Sequence, residues 1–458
     1  MINFLKGQPS LDLLPVEMFK KANELALSDP NSRQDMLQYG TEYGTDEFRN
    51  NLAKFLSKEY SMPVQFQHLC PTSGASFGLQ HSLSILTRPE STTKYCYFQD
   101  PTYFLVFNIY KDLGFQPNQF VGIPDENNQD GLDIDYFETM LQQHFPNLSS
   151  TPPLTAPTAP SEWIYNAVLY CVPTHANPTG SILLEHKRQR LVDLARKYNV
   201  LIICDDVYDI LTFTSTTINN DNDNQKEKED QKIITPPKRL VAYDLETMAK
   251  TSSYPCVISN GSFSKILAPG CRLGWLECHE TLIDRLAACG SYISGGTPSN
   301  YMNQLVNQML KSTSSSSLIS EESDININIH RHIQNLRHEL KERLHKGMWE
   351  PIQHHLLPLG CQVPGQQPPT GGYFLWLKLP TGIVCQDIQR MIQQHQINIS
   401  FGNTSLFRVP VVEKNTLQQQ KDEERDDYIR LCFAHYPIES LQFGIRELAR
   451  AIQLCKEK

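Results

Sequence analysis

The 458 residues contain no apolar run long enough to cross a bilayer. The start, Met1-Ile-Asn-Phe-Leu-Lys-Gly7, lacks a basic segment ahead of a long apolar core, so no secretory signal is expected. Positive charge is in short supply. The 41 Lys and Arg face 50 Asp and Glu, a net charge of -9, which argues against a nucleic-acid or anionic-membrane surface. The twelve cysteines include no Cys-x-x-Cys pair, so neither a metal site nor a disulfide framework is expected. Reduced thiols point to the cytoplasm, with the nucleus left open. No internal repeat divides the chain. What remains, 40% hydrophobic and 20% charged residues, is ordinary for a globular enzyme. The length allows two or three domains, or one large and one small.

Against that background one stretch stands out, Asn260-Gly-Ser-Phe-Ser-Lys-Ile-Leu-Ala-Pro-Gly-Cys-Arg-Leu-Gly-Trp275. It leaves an apolar, strand-like run (Cys256, Val257, Ile258) and sets Lys265 among apolar neighbours. Ser262 and Ser264 come just before, and Arg272 follows a Pro269-Gly270 turn. A lysine in an apolar pocket near another cation has a depressed pKa, which frees its amine for Schiff-base chemistry. Lowering it by about three units costs roughly 4 kcal/mol, so such a pocket must be rigid. Two hydroxyls and an arginine suit a phosphate. A Schiff-base lysine beside a phosphate cup is what pyridoxal 5'-phosphate (PLP) requires. Ser262-Phe-Ser-Lys265 also matches the Ser-x-x-Lys of serine acyl-transferring hydrolases, but the chain has no Lys-Thr-Gly or Lys-Ser-Gly to go with it. A solvated loop lysine is the plainer alternative.

In chain order, Gly7 to Pro15 is a turn-rich arm, and Val16 to Leu27 has helical periodicity. Tyr39-Gly-Thr-Glu-Tyr-Gly44 is a loop before a helix that starts near Thr45 and runs through Leu56. Pro71-Thr-Ser-Gly-Ala-Ser-Phe-Gly78 leads into an amphipathic helix with Leu79, Leu83 and Leu86. Its small residues leave backbone N–H groups aimed at one point, where an anion is favoured. The strand Tyr95-Cys-Tyr-Phe98 is followed by Asp100-Pro-Thr-Tyr103. Strand 168–172, helix 184–198 and strand 200–204 form a βαβ unit, hence a parallel sheet with right-handed crossover. That unit sets Asn177 and Asp205 at the same carboxyl edge, where open α/β sheets hold ligands. His330 to Gly347 reads as a helix, Pro369 to Leu379 as a glycine-led strand, Tyr428 to Ala434 as a strand and Ile438 to Leu454 as the last helix. Four polar tracts, near 147–161, 215–238, 312–328 and 413–427, read as surface insertions, the second and third as disordered.

A carboxylate at Asp205 would keep a PLP ring nitrogen protonated, so that the ring accepts carbanion electrons. Asn177 and Tyr208 would donate to the ring's phenolate oxygen, and Tyr103 would stack on its face, a contact worth about 1 kcal/mol. Asn177-Pro-Thr-Gly180, Asp205-x-x-Tyr208, Ser262-x-Ser-Lys265 and Arg272-Leu-Gly-Trp275, in that order, resemble the class I/II aminotransferases, fold type I PLP enzymes. The likeness runs from Gly7 to the last helix. Gln38-Tyr39, Gly74-Ala-Ser76, Asp100-Pro-Thr-Tyr103 and Ser-Phe-Ser-Lys265 are most similar to the kynurenine/2-aminoadipate aminotransferase branch.

The resemblance implies an α/β fold: a large PLP domain over 32–311 with a mostly parallel sheet, and a smaller one from 1–31 and 312–458. It implies Lys265 as aldimine lysine and proton shuttle, with Asp205 and Tyr208 beside it in catalysis. Phosphate would be held by Ala75, Ser76, Ser262, Ser264 and Arg272, with Tyr39 reaching in from the other subunit of a homodimer. Arg430 would grip the substrate α-carboxylate, next to Asn177 and under the arm at Gly7. The implied reaction moves an amino group from an L-amino acid (2-aminoadipate, kynurenine or aromatic type) to a 2-oxo acid such as 2-oxoglutarate. The nearest alternative is a PLP lyase or synthase on the same fold, such as a cysteine-conjugate β-lyase or an aminocyclopropane-carboxylate synthase. A regulator with a DNA-binding module is disfavoured, since Gly7 already belongs to the arm. Ala75 and Ser76 depart from the bulkier residues often found there, so phosphate contacts at that point would come mainly from backbone.

Overall fold

The computed structural model describes residues 1–126, 130–148, 163–213, 236–250, 253–311, 327–410 and 427–457. The four polar tracts lie outside these residues except at their edges. At the edge of the third, Ile327 is buried, and Asn328 caps the next helix by accepting the Arg331 N–H at 3.1 Å.

Strand β1 (Ile2–Asn3) pairs in parallel with β10 (Ile399–Ser400) and ties the arm to the C-terminal part. Helices α1 (Val16–Ser28) and α2 (Pro30–Leu37) follow, α2 capped by Asp29. α3 (Asp46–Tyr60) starts where the Thr45 hydroxyl accepts the Phe48 N–H, as its sequence predicts.

The central sheet has seven strands in the order β2-β8-β7-β6-β5-β3-β4. These are β2 (Leu69–Thr72), β3 (Tyr95–Asp100), β4 (Phe120–Pro124), β5 (Ala167–Cys171), β6 (Val200–Asp205), β7 (Val257–Ser262) and β8 (Gly274–Glu277). β4, β3, β5, β6 and β7 run parallel, and β8 is antiparallel to both β7 and β2. Every residue of β5 is buried, as expected of a strand covered on both faces. Arg272-Leu-Gly-Trp275 therefore enters an antiparallel strand, which the sequence reading did not foresee. Gly261 belongs to this packing: a Cβ there would stand 2.1 Å from the Trp275 ring.

The carboxyl ends of β3, β5, β6 and β7, with the amino end of β8, open onto one edge. Beside it, β12 (Tyr428–Cys432) lies between β11 (Gly402–Asn403) and β9 (Phe374–Lys378) in an antiparallel sheet. The helix expected over 330–347 stops at Glu342, and a π-helical segment, Arg343–Trp349, continues it. Pro351 has no N–H to offer the Gly347 carbonyl, and Gly347 itself weakens the regular turn. Buried Arg343 holds the arm from there, donating to Ser10 Oγ (2.7 Å), Asp12 Oδ2 (2.6 Å) and the Ala434 carbonyl (3.2 Å).

Candidate active site

α4 (Ala75–Leu86) begins directly after β2, with Gly74 as its N-cap at φ +89° and no side chain capping it. Its first N–H groups stay free for an anion. A Cβ on Gly74 would stand 3.1 Å from the Arg272 guanidinium, so the glycine lets that group close over the helix end. Arg272 reaches the Ser73 carbonyl (3.3 Å) and Ser264 Oγ (3.5 Å), and the Ser262 hydroxyl donates to Ser264 Oγ at 3.0 Å. Asn260, at the β7 end, donates to the Ala75 carbonyl at 2.9 Å. Backbone amides, two hydroxyls and a guanidinium thus form one cup.

Lys265, in the segment after β7, faces a cavity of about 330 Å³. Its Nζ donates to the Gly7 carbonyl at 2.7 Å and lies 5.6 Å from the Tyr373 ring centre and 5.9 Å from that of Tyr208. Burial lowers its pKa to about 8; Cys432 and Asp205 oppose this, while Arg430 and Arg272 add to it. Asp205, the last residue of β6, accepts the Tyr170 hydroxyl on Oδ2 at 2.6 Å, and among the described residues its buried Oδ1 has no hydrogen-bond partner. Burial raises its pKa to about 6, against the pull of the Tyr170 bond and Lys265.

Arg430 is buried in the middle of β12. It donates to Asn177 Oδ1 (2.7 Å) and the Leu5 carbonyl (2.5 Å), and its guanidinium carbon lies 4.2 Å from the Phe374 ring centre. Among the described residues no carboxylate pairs with it. Gly7 fits because a Cβ there would stand 2.9 Å from Phe374.

Ala75, Ser76, Tyr103, Asn177, Asp205, Tyr208, Ser262, Ser264, Lys265, Arg272, Arg430 and Gly7 all line this one cavity. Tyr39 does not. It is 85% exposed and lies in a surface groove with Leu37 and Gly295. The sequence reading missed Tyr170, Asn260 and Phe374, which also line the cavity. A tyrosine inside the aliphatic run Val168–Val172 was the available signal for the first.

This donor set fits PLP. A buried carboxylate oxygen waits without a partner, an anion cup stands beside it, and the lysine between them has a lowered pKa. Parallel sheet, small companion sheet and edge site together define a fold type I PLP enzyme. The chain belongs to the family "Aminotransferase class I and II", which matches residues 1–442. It is a PLP-dependent aminotransferase. The chain is 31% identical over 434 residues to an uncharacterized protein of Saccharomyces cerevisiae, covering 90% of each. It is 24% identical over 454 residues to aromatic-amino-acid aminotransferase 1 of Thermococcus litoralis, covering 99% of this chain and 88% of that one. The solved Pyrococcus horikoshii kynurenine aminotransferase shares the fold with a TM-score of 0.72 at 22% identity, covering 99% of this chain and 91% of that one. Among the described residues no helix is long and apolar enough to cross a membrane.

Proposed function

We propose that this aminotransferase takes the amino group of an L-amino acid of the 2-aminoadipate, kynurenine or aromatic type and gives it to a 2-oxo acid such as 2-oxoglutarate. The observation that supports an α-amino acid substrate is Arg430, buried without a carboxylate partner among the described residues in the cavity that Lys265 faces; the donor types follow the similarity to aromatic and 2-aminoadipate aminotransferases. Its planar fork suits an α-carboxylate better than a lysine would. Asn177 orients the fork at Nη1, and the arm carbonyl of Leu5 occupies Nη2 until substrate displaces it. Arg272, Ser262, Ser264 and the α4 amides would hold the cofactor phosphate, and Asp205 would face the ring nitrogen. When bound, PLP supplies an electron sink for the carbanion left by loss of the substrate α-proton. Lys265 Nζ is the base that takes that proton and returns it, and the Tyr208 and Tyr373 rings beside it help exclude water.

Lys265 reacts as the neutral amine. Below pH 8 it is mostly cationic and above pH 8 mostly neutral, because burial sets its pKa at about 8. The rate at which added PLP becomes trapped on Lys265 by borohydride is therefore expected to rise with pH, reaching half its plateau near pH 8. A rate flat from pH 7 to 9.5 would remove the lysine from this role.

The large and small domains expected above belong to this reading, as does a homodimer in which Tyr39 reaches the partner's phosphate cup. Leu37 (61%) and Tyr39 (85%) are exposed in a way that suits cover by a second copy. Free thiols at all twelve cysteines agree with a cytoplasmic setting. A panel of donors and acceptors tests the function. One acceptor is expected to be aminated per donor consumed, whereas ammonia and pyruvate from cysteine conjugates would mark a lyase instead.

A further inference from the structure

Tyr170 has no part in the reading above, yet it makes the one hydrogen bond given to the Asp205 carboxylate among the described residues. The register of the parallel pair explains the contact. Tyr170 aligns with Ile203, so the pleat puts 170, 203 and 205 on one face and the phenol reaches up to the strand end. The ring is buried and the hydroxyl donates at 2.6 Å to Oδ2, leaving Oδ1 unpartnered toward the cavity.

We propose that Tyr170 is a positioning residue that fixes the Asp205 carboxylate through Oδ2, so that Oδ1 alone is presented to the cofactor's ring nitrogen. This rests on the role proposed for Asp205. A carboxylate held by one oxygen cannot turn its free oxygen away, and a phenol hydroxyl supplies a single donor that leaves the second oxygen open. The bond also favours the charged form of Asp205. The other groups facing it are Lys265 from beyond β7, which helps, Asp206 just past the end of β6, which opposes, and the phenols of Tyr103 and Tyr208. Without the hydroxyl, Lys265 alone offsets burial and Asp206, so the carboxyl takes up a proton at higher pH.

The test uses full-length PLP-loaded Tyr170→Phe, a change that keeps the ring's volume. Its melting temperature is expected to stay near the wild-type value. Its affinity for PLP should fall roughly ten- to hundredfold, the range for a hydrogen bond to a charged group. The acid limb of kcat against pH should move to higher pH. In an Asp205→Ala background the same change should alter PLP affinity less than twofold. Equal losses in both backgrounds, or an unmoved affinity and acid limb, would overturn the proposal. Should the Phe variant fail to fold, 3-fluorotyrosine at position 170 keeps the shape with a stronger donor. The acid limb should then move to lower pH, and an unmoved limb would sink the idea. If Asp205→Ala itself leaves PLP affinity and rate unchanged, the role of Asp205 fails, and this inference with it.

Discussion

Alanine in place of Lys265 is expected to cut turnover by about 10⁴-fold or more, while PLP still binds through its remaining contacts. General acid–base catalysis by a placed side chain contributes about 10²- to 10⁴-fold, and loss of this amine removes the covalent anchor as well. No neighbour can substitute. Arg272 and Arg430, the other cations lining the cavity, are guanidiniums, which offer donors and no lone pair to take a proton. Steady-state rates would be paired with borohydride reduction and peptide mapping. Wild-type protein should carry the reduced tag on the peptide containing residue 265, and the variant should carry none. Steady-state turnover near wild type would exclude Lys265 from catalysis.

Arg430→Ala is expected to weaken substrates bearing an α-carboxylate above all. Truncating one member of a buried, hydrogen-bonded charge pair costs about 2–5 kcal/mol, or roughly 30- to 4,000-fold in kcat/KM. The loss should fall mainly on KM for the amino acid and much less on the matching amine without a carboxylate. Arg430→Lys should recover only part, because an ammonium cannot make the planar two-pronged contact. An unchanged KM in the alanine variant would remove Arg430 from the site.

Much of the site was legible because its residues follow the ends of strands whose apolar runs stand out. Asp205 closes Val200–Cys204, Asn177 lies in the loop after β5, and Lys265 comes three residues after β7. Once the strands are aligned, one edge collects all three. Tyr170 was hidden because inside a buried strand its aromatic ring is also what a core would use; only pairing with β6 shows that its hydroxyl meets a carboxylate. β8 was missed because Gly274–Glu277 is too short to give a period of its own and is recognised only by its pairing with β7 and β2. The early end of the helix at Glu342 could have been read from Gly347 and Pro351 together. Tyr39 is different in kind, since its proposed partner is on another subunit and no feature of one chain reveals it.

The first twelve residues do more than lead into the protein. They supply β1, the carbonyls that meet Lys265 and Arg430, and the side chains that Arg343 grips. The next methionine in the chain is Met18. A product beginning there would keep the whole central sheet and every cofactor ligand proposed here within one chain, but not the arm. Such a product would leave the buried Arg343 without Ser10 and Asp12, and Lys265 and Arg430 without the carbonyls of Gly7 and Leu5, so the reaction chamber would stand open on that side.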